Sequence, residues 1–380
     1  MIEETMSRRD RIAAAIGLEP VDRVPVIAVT ETVAPRFAGV TLAQTVRDPV
    51  LAREVHMRVF DMLGGWDAAY GQGQMITELG MTSLACPMKL PGYQLGDDEL
   101  WQVDERQLVT ADGYAFIAEN GWDAFVEKVY PALGYPVPPE HLAERLRQLA
   151  QQEIEGINLW NAKGVPVFTA IGPAPGFECL SYPRTLQQLL LDVFRQPDQV
   201  LAAIETIETE QVAQSIERFR LLAEATDEGP VAVFVGGGRG AFLSPKNFDK
   251  FYWPFLKSAV ERLVDAGITP SLHLDSNHTP YLEHLLDLPA KKVVLELDGA
   301  TDIFRAKEIL RGHMCIMGDV HPGLLALGTP QEVTDYCTRL IDEIGEDGGF
   351  ILKSGCVIPM NARFENVRAM IDTAKSHFPH

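Results

Sequence analysis

From Val231 onward, short apolar runs alternate with longer stretches whose apolar residues recur at helical spacing. The runs are VAVFVGG (231–237), TPSLHLD (269–275), KVVLELD (292–298), HMCIMGDV (313–320) and GFILKSGC (349–356). They are apolar at both parities, as strands covered on both faces should be. Helical patterns lie between them at 244–266, 279–286, 303–310 and 330–344. Strict alternation predicts parallel pairing, because each crossover needs a helix to bring the chain back. Three earlier runs, RVPVIAV (23–29), DAAYG (67–71) and PVFTAIG (166–172), extend the series to eight, the count that closes a (β/α)8 barrel. An open doubly wound sheet usually carries a glycine-rich phosphate turn after its first strand; VPVIAVTETVAP (24–35) has none. The expectation is a single α/β TIM-barrel domain over 1–380.

The stretch 75–165 breaks the alternation between the second and third runs. It reads as an insertion or lid over the barrel mouth, or else as an edge ornament with no ligand role. Within it, LVTADGYAFIAENGW (108–122) alternates in polarity about Asp112-Gly113 and predicts a β-hairpin. Trp101, Trp122, Phe125 and Tyr130 are its large aromatic residues. At the N-terminus, Ser7, Asp10, an apolar stretch and Gly17 predict a short capped helix. That apolar stretch is too short for the core of a signal peptide.

Composition narrows the partners. A formal net charge of -20 repels phosphate backbones and anionic lipid, which argues against nucleic acid and membrane surfaces. No run approaches the ~18 apolar residues of a membrane span. Five cysteines in 380 residues do not suggest a disulfide framework, and they point to the reducing cytoplasm.

In such barrels the chemistry sits at the carboxyl ends of the strands. The fifth run ends in His273-Leu274-Asp275, and alternation turns His273 and Asp275 into the same interior. The sixth offers Glu296 and Asp298, the seventh Cys315, Met317 and Asp319, and the eighth ends at Cys356. Imidazole, carboxylate and thiolate converging at one rim form a candidate zinc set. Each has a plainer alternative. An interior His is more often a hydrogen-bonded core residue, and Cys315 in an apolar strand suits a small buried hydrophobe. Cys356, after Ser354-Gly355, suits a ligating thiolate better. Asp275 must be paired, metal-bound or catalytic, because a carboxylate buried alone is costly. Cys86, Cys179 and Cys337 are assigned no chemistry.

The same residues carry a resemblance. EPVDRVPV (19–26), LSYPRTLQQLLLDVFRQPDQV (180–200), the stretch 242–275 ending in PSLHLD, HMCIMGDVHPGLLALGTPQEV (313–333) and FILKSGCVIPMNARFENVRAMI (350–371) resemble the uroporphyrinogen decarboxylase superfamily. Within it, they are similar to the branch of corrinoid-dependent zinc methyltransferases. That branch holds zinc with a His-x-Cys on the fifth strand and a Cys ending the eighth. The resemblance implies His273 and Cys356 as ligands, with Asp275 standing where the branch has Cys. A carboxylate there makes the metal a stronger Lewis acid than a second thiolate would, and it matches the subgroup resembling O-demethylases of aryl methyl ethers. Cys315 is a candidate further ligand. True uroporphyrinogen decarboxylases carry an Arg-rich segment just after the first strand; this chain has Thr30-Glu31-Thr32-Val33-Ala34-Pro35, which disfavours a polycarboxylate substrate.

The implied function is transfer of a methyl group from a methylated small molecule, such as an aryl methyl ether, to the cobalt(I) of a corrinoid held by a separate small protein. Zn2+ would act as the Lewis acid. The candidate site residues are His273, Asp275, Cys315 and Cys356 for metal, Asp275, Asp298 and Asp319 for catalysis or support, and Glu31, Tyr70 and Arg239 for substrate. Arg239 has the alternative of a structural ion pair. The rivals are a methylcorrinoid:thiol methyltransferase of the coenzyme M type, a decarboxylase, and a metal-free corrinoid-binding protein. Members of the superfamily are often homodimers.

Overall fold

A computed structural model of the chain describes residues 5–71, 76–110 and 112–377. Seven parallel strands form one sheet: β1 (Val26–Ile27), β2 (Thr169–Ile171), β3 (Ala232–Gly237), β4 (Pro270–Leu274), β5 (Val294–Leu297), β6 (Cys315–Val320) and β7 (Phe350–Ser354). Their spatial order is β1-β7-β6-β5-β4-β3-β2. The run at 67–71 completes the ring as a single bridge, Ala69 pairing in parallel with Val167. Ala69 N–H donates to Pro166 O at 2.9 Å, and Asp67 N–H donates to Val26 O at 2.8 Å. The eight runs therefore close an α/β barrel.

The barrel interior is filled at its lower end by Ile27, Ala68, Phe168, Ala232, Val294, Cys315, Met317 and Ile351. Helix α1 (Arg8–Ile16) caps that end with Ile12, Ala15 and Ile16. Its start is fixed by Ser7, whose side chain accepts from Asp10 N, satisfying a donor that has no partner within the helix. With the lower end sealed, the opening lies at the carboxyl ends of the strands.

The helical patterns hold with local changes. Ile303–Leu310 is helical as predicted, and 330–344 extends by one residue to Gly345. The pattern at 244–266 breaks at Tyr252 into Pro245–Phe251 and Trp253–Asp265, and 279–286 is a 3-10 helix, Thr279–Asp287.

The hairpin expected about Asp112-Gly113 does not form. Gly113–Asn120 is an α-helix, and Trp122–Leu133 follows as another; Ala111 lies outside the described residues. Tyr114 and Ile117, three apart, are both fully buried. Their helix packs against helix α3 (Pro197–Ala225), and Tyr114 OH donates to Asp192 at 2.9 Å. Burial on a neighbouring helix overrides a period-two pattern that had no partner strand.

Helix α2 (Pro139–Ala162) runs almost directly into β2 and packs in the outer layer. This helix takes up the last part of the stretch 75–165; Met75, where that stretch begins, lies outside the described residues. Its aromatic residues are consumed in packing. Trp122 is fully buried and donates Nε1–H to Ser83 O at 2.8 Å, and Tyr130 OH donates to Val137 O at 2.8 Å. Trp101 packs against a small cluster of Ile76, Cys86, Met88 and Leu90. Among the described residues, no helix is long and apolar enough to cross a membrane.

Candidate metal centre

β4 is buried along its whole length and carries His273 next to its last residue. The Phe234 ring of β3 tilts against the imidazole, with centroids 5.0 Å apart. Asp275 follows just past the strand end, where its N–H still donates to Gly237 O at 3.1 Å. Cys356 lies two residues beyond the end of β7 and is partly exposed. His273 Nε2 is 3.1 Å from Asp275 Oδ1, and ligand atoms of His273, Asp275 and Cys356 all lie within 4.8 Å of one another. Gly238 leaves room for this arrangement, since a Cβ there would stand 2.7 Å from the Asp275 Cβ.

Below the three groups lies Glu296 of β5, with no exposed side-chain surface. It accepts from Tyr70 OH at 2.8 and 2.9 Å and from Ser271 Oγ at 3.2 Å, and pairs with Lys353 Nζ at 2.9 Å. Its Oε1 is also 2.7 Å from His273 Nδ1, a charge contact rather than an aligned hydrogen bond. One imidazole nitrogen thus faces Glu296 and the other faces Asp275.

The electrostatics follow from this crowding of acids. Burial alone would lower the His273 pKa, but the Glu296 charge and the bonds to Asp275 and Cys356 outweigh it and hold the imidazole well above its ordinary range. Burial would raise Asp275 and Glu296; His273 outweighs it for Asp275, and Lys353 with His273 for Glu296, so both carboxyls are lowered. Glu31 is pushed up to about 8, chiefly by burial, with Lys353 opposing. Tyr70 is raised by burial and then by Glu296. Two carboxylates, Asp275 and Glu296, thus flank one imidazole, with the Lys353 ammonium paired to the second. Nitrogen, oxygen and sulfur donors at this spacing suit zinc, and three protein ligands leave a fourth position open.

The remaining expected site residues are distributed as follows. Asp298 accepts from Ser276 N at 3.2 Å and Ala300 N at 2.8 Å, bracing the loops after β4 and β5. Asp319 accepts from Tyr336 OH at 2.8 Å, on the outer helix Pro330–Gly345, and burial raises its pKa to about 6. Cys315 is not brought to the cluster, which corrects its place among the expected ligands. It is the first residue of β6, fully buried with Val294 and Met317 in the lower barrel, and burial pushes its thiol well up. Arg239 stacks over Tyr182, 4.0 Å to the ring centroid, and donates to Ser181 O at 3.2 Å. It also lies 3.5 Å from Glu178, whose other oxygen accepts from the Gly238 and Arg239 N–H groups. That guanidinium holds its own turn. Tyr70 and Glu31 do join the neighbourhood, the first through Glu296 and the second through its charge coupling to Lys353 and His273.

Sequence reasoning missed Lys353, Ser271 and Glu178, and gave Glu296 no role. The signal for Lys353 was present: a lysine amid FILKSG in a strand buried on both faces requires a buried partner. A cavity of about 380 Å³ lies elsewhere, between α2, α3 and the barrel wall at 167–172, and includes none of the three clustered residues.

Comparison with known proteins agrees with this architecture. The family model of uroporphyrinogen decarboxylase (URO-D) matches residues 162–377. Uroporphyrinogen decarboxylase of Syntrophotalea carbinolica is 30% identical over 158 residues, 42% of this chain and 44% of that protein. The barley (Hordeum vulgare) protein of the same name is 28% identical over 149 residues, 39% of this chain and 44% of that one. The chain thus aligns with less than half the length of these relatives. A methyltransferase from Methanosarcina mazei superposes over 97% of this chain and 98% of its own, with a TM-score of 0.71 and 18% identity, a likeness of fold.

Proposed function

Because this chain belongs to the uroporphyrinogen decarboxylase family, we propose that it uses the family's barrel as a zinc-dependent methyltransferase. The methyl donor is an aryl methyl ether, and the acceptor is a corrinoid carried by a small partner protein. The observation that carries this reading is the meeting of His273, Asp275 and Cys356 within 4.8 Å at the barrel mouth. The fold shared with the M. mazei methyltransferase supports it. A decarboxylase reading is disfavoured. The segment after β1 offers Glu31 instead of a run of arginines, and Arg239, in the turn after β3, is occupied by Glu178 and Ser181.

His273, Asp275 and Cys356 would hold the metal. When bound there, zinc supplies a Lewis acid that lowers the cost of negative charge on the heteroatom losing or gaining the methyl group. Glu296 sets the orientation of the His273 ring from behind, so that Nε2 faces the cluster. Asp275, lowered in pKa, stays an anion across the neutral range. Glu31, pushed up to about 8 by burial, keeps its proton at neutral pH. Phe234 covers one face of the imidazole and keeps water from that side.

Protein purified without a histidine tag is expected to contain stoichiometric zinc. His273→Ala and Cys356→Ala should lose it while circular dichroism stays unchanged, and Cys315→Ala should retain it. In a corrinoid methylation assay, methoxyarenes should serve as donors, thiols should not accept, and uroporphyrinogen should release no carbon dioxide. Full zinc in Cys356→Ala would sink the ligand assignment.

A further inference from the structure

Lys353 has no exposed side-chain surface. An ammonium has three protons to donate, and three acceptors meet them: Glu296 Oε1 at 2.9 Å and the carbonyls of Ser354 and Gly355 at 2.9 Å each. Those carbonyls belong to the two residues immediately before Cys356. Glu296 reaches His273 Nδ1 at 2.7 Å. Lys353 therefore contacts, through one intermediary on each side, both the imidazole and the thiol of the cluster. The Gly355 N–H donates to Val320 O at 2.8 Å, so the backbone ahead of Cys356 is held from β6 as well as from the interior. The Tyr70 ring, whose hydroxyl also binds Glu296, lies 5.4 Å from the ammonium.

Closing a barrel does not call for a charge at this height. A leucine would fill the space, and apolar replacement of a buried ion pair is often neutral or stabilising. The geometry suggests what the charge does instead. We propose that Lys353 is a positioning residue that fixes the separation of the His273 imidazole and the Cys356 thiol. One proton anchors Glu296 behind the imidazole, and the other two draw in the strand end that carries the thiol. The inference rests on the cluster being a metal centre, and it goes further by making the metal geometry depend on a lysine that cannot itself be a ligand.

The test uses full-length, metal-stripped protein titrated with cobalt(II), read by its ligand-field and thiolate charge-transfer absorption. Lys353→Met is expected to bind cobalt at least tenfold more weakly, the scale typical of outer-shell partners, with a displaced ligand-field spectrum. Because stranding Glu296 could impair folding, Lys353→Met is also combined with Glu296→Gln, a double variant in which neither charge of the buried pair remains, and is compared with Glu296→Gln alone. There it is expected to weaken cobalt binding further, since the Ser354 and Gly355 carbonyls are released in either background. Wild-type affinity and spectrum in folded Lys353→Met, or no further loss in the Glu296→Gln background, overturns the role of Lys353. A wild-type chain that takes up no cobalt instead overturns the metal centre itself.

Discussion

Glu208 of α3 is buried with neither carboxylate oxygen hydrogen-bonded. Burial raises its pKa from an ordinary 4.5 to about 8, with Arg262 opposing weakly. The folded chain therefore holds a proton that the unfolded chain releases between those values. The contribution of Glu208 to stability is fully present below pH 4.5 and declines as pH rises to about 8. Glu208→Gln removes that decline. The melting temperature of the variant relative to wild type should climb between pH 5 and pH 8.5. A difference independent of pH would mean that Glu208 is not the group titrating. The same physics separates the cysteines. Cys315 and Cys337 are fully buried and raised by burial, the condition of inert core thiols, whereas Cys356 sits at the mouth with partial solvent access.

At the scale of elements, Asp67 is the joint of the barrel. Its carboxylate receives Arg11 of α1 at 2.7 Å, Arg23 at 2.7 and 2.8 Å, and the Val26 N–H of β1 at 2.8 Å. Its own N–H donates back to Val26 O. A two-residue strand and a single bridge would be weak links alone; the shared buried carboxylate ties the capping helix, β1 and the closing segment together. Breaking a buried charge network by removing one partner is costly, so Asp67→Ala should destabilise by about 3–5 kcal/mol in chemical denaturation. A loss below about 1 kcal/mol would show that the ring is closed by packing instead.

For the whole molecule, metal binding as proposed and folding should be linked, since the proposed ligands come from the ends of β4 and β7 and meet only when the barrel is closed. Zinc added to stripped protein at about 100 times its dissociation constant contributes about 2.7 kcal/mol. In a chain of this length that raises the melting temperature by roughly 3 °C. His273→Ala should show no rise; an equal rise in that variant would place the ion elsewhere. Acid should reverse the effect, because protons compete for the imidazole and thiol that the metal needs.

Alternation of apolar runs and helical patterns was enough to establish the eight-membered barrel, the helix at 303–310, and the rim as the place where His273, Asp275 and Cys356 belong. These follow from periodicity and from the handed, local rules of strand and helix. Three things were decided only by tertiary structure. Residues 113–120 became a helix because α3 offered a surface for Tyr114 and Ile117, a contact that no local pattern contains. Cys315 shares the interior face that alternation predicts, but it sits at the closed end, because depth along the barrel axis depends on where each strand begins and how it is staggered against its neighbours. Lys353 and Glu296 lie on non-adjacent strands, and only the curvature of the sheet brings an ammonium and a carboxylate together beneath the cluster. Period tells which side of a strand a residue faces; height and partner across the barrel require the closed ring.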